Sequence, residues 1–280
     1  MKSTSYYKDK QIDDMVFPDA CLRHVGHMVR NIKAIPNYRA VVDRSTDRTY
    51  AIVKDGYNLL RHEEVIEQMD DLCRQFPEYG EPTREVWMSN HGGRMKTRWT
   101  FGEVENFEIG KLSDGTPDIV FPTLETFCSY DTSLAQRTLV GGFRVVCSNG
   151  MVVGKVLGEY KRKHTTSLDL ERAKMVLANG MANYSEAAGL WISFTERNAA
   201  LTEVNCYEEI GFNKDEKLSV EAEIKRKGKV IKWDNEEPKE REVEINAWEL
   251  YNILTAEASH RIKDINRQAK VTDNIAKAFV

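Results

Sequence analysis

Residues 84–104, "REVWMSNHGGRMKTRWTFGEV", decide how this chain is read. Two arms rich in Val, Trp, Thr and Phe flank Asn90-His91-Gly92-Gly93, where glycine supplies the positive φ that a tight turn needs, so the stretch predicts a β-hairpin. Along the second arm Arg94, Lys96 and Arg98 alternate and share one face, while Met95, Thr97 and Trp99 share the other. The middle of the chain is therefore expected to be a sheet with a positively charged side.

Working outward, residues 38–53, "YRAVVDRSTDRTYAIV", predict a second hairpin around a polar turn. Between the two hairpins, Leu59, Val65, Ile66, Met69, Leu72, Cys73 and Phe76 recur at three- and four-residue intervals, the spacing of an amphipathic helix. After residue 117, "IVFPTLETFCSYDTS" (119–133) and "QRTLVGGFRVVCSNGMVVG" (136–154) read as strands joined by turns too short for a crossover helix, hence antiparallel. From Ser167 to Phe194 the periodicity turns helical, with Thr166 or Ser167 as cap and Asp169 and Glu171 in the first turn. Residues 245–279 are helical by spacing, with a stripe of Trp248, Leu250, Tyr251 and Leu254. Near the amino terminus, residues 18–32, "PDACLRHVGHMVRNI", predict a helix carrying His24 and His27 on one face, punctuated by Pro18 and Pro36. The expected fold is α+β: an antiparallel β-sheet flanked by helices, with a helical C-terminal region. It divides into an N-terminal docking or oligomerisation arm (1–40), an α+β core domain (41–212), a charged insertion or hinge (213–241) and a C-terminal helical segment (242–280).

With 280 residues, 41% of them apolar, the chain can bury a sizeable core. Charged residues make up 30% in both signs with a net charge of -4, so any site for a polyanion must be local. No apolar run reaches the roughly 18 residues of a membrane span, and "MKSTSYYKDKQ" lacks a signal-peptide core, so a cytoplasmic protein is expected. Five widely spaced cysteines without a CxxC pair read as reduced and mostly buried.

Four kinds of chemistry find no support. Cys147 sits in an alternating apolar strand with no base that spacing could place beside it. Gly141, Gly142, Gly150 and Gly154 have neither the GxxxxGK[ST] nor the GxGxxG spacing of a phosphate cradle, so no ATP dependence is expected. Asp118, Glu125 and Asp131 lack the ExK pattern of a nuclease strand. His24, His27 and Cys21 lack a completed ligand set for zinc. No catalytic residue, metal or cofactor is expected.

What remains is charge placement. Residues 137–174 carry a net charge of +5, and cations, hydroxyls and a helix start gather between residues 161 and 170. Such groups bind phosphate oxygens. The candidate nucleic-acid-binding residues are Arg94, Lys96, Arg98, Arg137, Arg144, Lys155, Lys161, Arg162, Lys163 and His164. Trp99, Tyr130 and Tyr160 are the candidates for stacking on unpaired bases. The expectation requires the hairpin cations and the Lys161–Lys163 run to converge on one trough.

The segments "YAIVKDGYNLLRHEEVIEQMD" (50–70), "DTSLAQRTLVGGFRVVCSNGM" (131–151), "KRKHTTS" (161–167) and "NAWELYNILTAEASHR" (246–261) carry a resemblance. The chain resembles the phage/plasmid-like protein family, a domain of unknown function (family 932). In element order it is similar to phage single-strand annealing proteins, which place a basic groove between a hairpin and a helix. The resemblance implies a gene of phages, plasmids or prophages and supplies no catalytic residues. The expected function is ATP-independent single-stranded DNA binding and annealing in phage or plasmid recombination, by a homo-oligomeric ring or filament without a cofactor. The alternatives are an anti-defence or regulatory protein that binds a host protein, and a metal-dependent nuclease.

Overall fold

The computed structural model describes residues 4–28, 31–102, 107–112, 115–144, 149–151, 158–162, 170–227 and 245–279. In chain order the strands are β1 (Ser5–Lys8), β2 (Ala20–Met28), β3 (Ile32–Asp43), β4 (Thr49–Lys54), β5 (Thr83–Ser89), β6 (Arg94–Thr100), β7 (Phe107–Lys111), β8 (Pro117–Ser129), β9 (Gln136–Arg144), β10 (Asn149–Met151) and β11 (Gly158–Arg162). The helices are α1 (His62–Cys73), α2 (Leu170–Ala182), α3 (Tyr184–Glu196), α4 (Leu201–Val204), α5 (Tyr207–Ile210), α6 (Lys214–Arg226), α7 (Ala247–Arg261) and α8 (Ile265–Ala278). The fold is α+β with antiparallel pairing and a helical C-terminal region. None of the helices is long and apolar enough to cross a membrane among the described residues.

The chain forms two compact units. The first gathers residues 1–102, 124–139 and 159–177; the second gathers 103–123, 140–158 and 178–280. Strands β8 and β9 each contribute residues to both.

In the first unit the hairpin centred on residues 90–93 forms as expected: β5 pairs antiparallel with β6 from Thr83↔Thr100 to Ser89↔Arg94. Asn90, His91 and Gly92 all take positive φ, and Gly93 N–H donates to Asn90 O at 3.0 Å, closing the turn. Strand β1 extends the sheet beyond β5, with Tyr6 opposite Trp87. Helix α1 buries Val65, Ile66, Met69 and Leu72, and the Trp99 indole of β6 donates to Asp70 of α1 at 2.7 Å. The other sheet of this unit has the order β2-β3-β4.

That second sheet corrects the helix expected at residues 18–32. Ala20 and Leu22 pack into a cluster with Val41, Val53 and Tyr130, and Cys21 and Arg23 lie on the opposite face, a period of two. The alternation breaks at a register shift between His24 and Gly26, so only the base of β2 shows a strand's pattern. The three-residue spacing of His24 and His27 then imitates a helix.

In the second unit β7, the first half of β8, the last half of β9 and β10 form the sheet portion. Helix α7 is buried on nearly every side, from Ala247 and Trp248 through Leu250, Tyr251 and Leu254 to Ala258. A helix buried all round belongs at the centre of a core, and here Trp191, Ile210, Val220, Val271 and Ile275 join its cluster. The charged stretch expected to be an exposed insertion or hinge is, over residues 214–226, the ordered helix α6. Asn213 and Glu216 form a capping box at its start, and Val220 and Ile224, one helical turn apart, are buried. Residues 228–244 lie outside the described residues.

Glycine is required at Gly142 of β9. A Cβ there would stand 2.5 Å from Trp191 Cη2 and 2.6 Å from Val120 Cγ1, and both rings and branches are fixed in the core. The expected result for Gly142→Ala is a loss of about 1 to 3 kcal/mol, read as a Tm lowered by several degrees. An unchanged melting curve would show that Trp191 can move aside.

Candidate nucleic-acid interface

The hairpin cations do not face solvent. Strand β6 places Lys96 and Arg98 on one face, as their alternation predicts, but β8 lies beside β6 and projects Glu125 onto that same face. Lys96 Nζ is 2.9 Å and Arg98 Nη2 2.7 Å from Glu125 Oε1, with Glu85 3.7 Å from Arg98 Nη1. The Trp87 ring lies 5.4 Å from Lys96 Nζ and 5.2 Å from the Arg98 guanidinium carbon, within cation–π range. Lys96 and Arg98 retain 7% and 3% exposure. Burial by itself pushes the Glu125 carboxyl up, and the two adjacent cations more than reverse this, holding it far below the usual carboxylate range. Burial draws the Lys96 ammonium down, with Glu125 opposing.

Three further candidates, Arg94, Arg137 and Arg144, are also matched. Arg94 Nε bonds Asp131 at 2.5 Å, and Arg137 Nε bonds Glu159 at 2.7 Å. In the second unit Arg144 makes a two-pronged contact with Asp118, each bond 2.5 Å, and the Trp248 indole donates to the same carboxylate at 2.9 Å. The expectation that Arg94, Lys96, Arg98, Arg137 and Arg144 form a phosphate track is thereby corrected: each cation's charge is taken by a carboxylate. The same bonds account for Asp118, Glu125 and Asp131, the acids weighed for a nuclease. Among the described residues no group of three or more His, Cys, Asp or Glu is placed to hold a metal ion.

The stacking candidates are core residues: Trp99, Tyr130 and Tyr160 are 1%, 0% and 5% exposed. None presents a face to a base. Tyr130 stacks instead on His62, ring centroids 3.9 Å apart, and its hydroxyl accepts from the His62 backbone N–H at 2.8 Å. His62 Nε2 lies 2.9 Å from the Gly92 carbonyl and Nδ1 3.1 Å from Cys128 Sγ. A ring that donates through Nε2 accepts through Nδ1, so the thiol is the donor. Burial pushes the Cys128 thiol up, which keeps it protonated and unreactive. The Gly92 contact ties α1 to the β5–β6 turn, and the cysteine–histidine contact, between residues 66 positions apart, ties it to β8. Cys21, Cys73, Cys128 and Cys206 are all free thiols, and the last three are buried. Lys161 is exposed on β11, which also carries Arg162. Lys155, Lys163, His164 and Cys147 lie outside the described residues.

Among the described residues of the first unit, an exposed positive feature is one that the sequence reading missed. Strands β2 and β3 form an antiparallel ribbon that leaves Arg23, His24, His27, Ile32, Lys33 and Tyr38 exposed. Residues 20–42 contain Arg23, Arg30, Lys33 and Arg39 and no aspartate or glutamate at all. That gap in the carboxylates was the available signal, hidden by the histidine spacing. Register pairs His24 with Arg39 and His27 with Lys33, and Arg39 Nη1 lies 3.2 Å from His24 Nε2. Two carboxylates reach the ribbon's inner half from neighbouring loops: Asp47 at 3.3 Å from Arg23 and Asp55 at 2.7 Å from Arg39. Both pairs are solvent-exposed, a class worth about 0 to 1 kcal/mol, so a phosphate can replace either carboxylate.

A family model described as Domain of unknown function (DUF932) matches residues 49–278. Comparison with curated proteins and with solved structures gives no match.

Proposed function

Since the chain belongs to the DUF932 family, a domain of unknown function, we propose from its own geometry that it holds nucleic acid by the phosphate backbone, without ATP and without catalysis. The observation that carries this reading is the β2–β3 ribbon, whose residues 20–42 contain no aspartate or glutamate. Exposed cations gathered on one element, with only exposed and exchangeable pairings to Asp47 and Asp55, are the means by which a protein of net charge -4 can bind a polyanion. The task we propose is the annealing of complementary strands in phage or plasmid recombination, in the cytoplasm of a bacterial host. Holding strands by their phosphates leaves base edges available for pairing. Exposed Lys161 of β11 is a further candidate contact.

The test is binding of labelled oligonucleotides across a salt series. Affinity should fall with a log–log slope of about -0.7 per phosphate contact on a single strand and about -0.9 on a duplex. A quenched-pair assay should show faster annealing without ATP. A flat salt response would overturn the proposal.

One feature favours a second reading. Ile32 on the ribbon is 80% exposed, and Tyr38 and Ile52 nearby are 42% and 54% exposed. Apolar side chains in such a place suit contact with a protein, either a host protein or a second copy in a homo-oligomer. Light scattering that shows a stable complex, with no shift of any oligonucleotide, would favour this reading over the first.

A further inference from the structure

We propose that the nucleic acid taken by the ribbon is a duplex, and that the ribbon enters its major groove tip-first. This rests on the reading above and names the form bound at that same site, the product of annealing in place of its reactants.

Dimensions come first. A two-stranded ribbon with its side chains is about 10 Å thick, and strands rise about 3.4 Å per residue. The major groove is about 12 Å wide and about 8.5 Å deep, and it admits a β-ribbon. The regular outer part of the ribbon pairs Gly26–Met28 with Ile32–Ala34. Three residues per strand span about 10 Å, enough to reach the groove floor. Gly26 lies opposite Ala34, so the ribbon is thinnest where it must pass between the walls. A Cβ on Gly26 would stand 3.1 Å from the Lys33 carbonyl oxygen and thicken that point.

Charge placement comes second. Arg23 lies on one face of the inner ribbon and the His24–Arg39 pair on the other, while His27 and Lys33 share a face further out. A single strand offers one line of phosphates, whereas a groove has a line on each side, and cations on both faces match the latter. Asp47 and Asp55 pair with Arg23 and Arg39 only through exposed contacts.

The rings come third. Proteins that hold single strands use exposed aromatic platforms, yet the outer ribbon carries no aromatic ring besides the imidazole of His27, and His24 and Tyr38 lie further in. At the outer end of β3 stands Ile32, suited to the thymine methyls and base edges on a groove floor.

The experiment measures anisotropy of a 30-base-pair duplex (about three helical turns) and of its component single strands with the full chain, at several salt concentrations. The wild-type protein should bind the duplex at least about tenfold more tightly than either strand, a margin set by the second line of phosphates. Arg23→Ala with Lys33→Ala should reduce the duplex salt slope by about 2, with unchanged circular dichroism because both side chains are exposed. Ile32→Ser should weaken the duplex complex and leave that slope as it was. Tighter, salt-dependent binding of the single strand would overturn the duplex assignment while leaving the nucleic-acid reading intact. A double variant with the wild-type slope would remove the ribbon from the interface. Absence of binding to either form would overturn both proposals.

Discussion

Glu125→Ala should be the most damaging single substitution in the first unit, at a cost of about 3 to 5 kcal/mol. The carboxylate is the shared acceptor of Lys96 and Arg98, and all three groups are buried. Without it two cations remain in a dry setting with Glu85, 3.7 Å from Arg98, as the surviving nearby acid. Urea denaturation should show a lowered midpoint, and hydrogen exchange should show faster opening of β6. A loss below about 1 kcal/mol would mean that the cations escape to water, contrary to their burial. The same group sets a pH dependence. Its folded value, about 2, lies below the ordinary 4.5, so its contribution is complete above about pH 4.5 and disappears as the pH falls through 2. The variant should therefore lose less stability than the wild type between those pH values.

Asp118→Ala should cost the second unit about 3 to 5 kcal/mol by the same physics. Asp118 accepts both prongs of Arg144 and the indole N–H of Trp248, and its removal takes away all three bonds. The guanidinium also lies over the Trp248 ring, 5.6 Å from its centroid. Since the cost arises from a buried charge that has lost its carboxylate, adding Arg144→Met should restore most of the lost stability, because apolar replacement of a buried pair is often close to neutral. A double variant no more stable than Asp118→Ala would show that packing by the arginine stem, and not its charge, governs the site.

Local signals were legible where they were self-contained. The Gly92-Gly93 turn and the alternation on either side of it revealed the β5–β6 hairpin and even which residues share a face. The content of that face was not legible, because Glu125 arrives from a strand 27 residues beyond Arg98 and no spacing rule records the meeting. Cations that alternate along a strand look the same in sequence whether they face water or acids. The ribbon was missed for a different reason: the shift after His24 breaks the strand period, leaving a pattern that a helix also satisfies. Helix α6 could have been found, since Asn213 followed by Glu216 is a capping-box signature, but the surrounding charge obscured the two buried positions behind it.

The family match begins at Thr49, the first residue of β4. The boundary thus cuts through the β2-β3-β4 sheet, leaving one strand with the shared body and two with the leader. Side chains join the strands across that boundary: Val53 of β4 is buried with Val41 of β3 and Ala20 of β2. A body cut at Thr49 would leave Val53 uncovered on that side, so the leading strands act as a stopper that the matched region needs in order to stay dry.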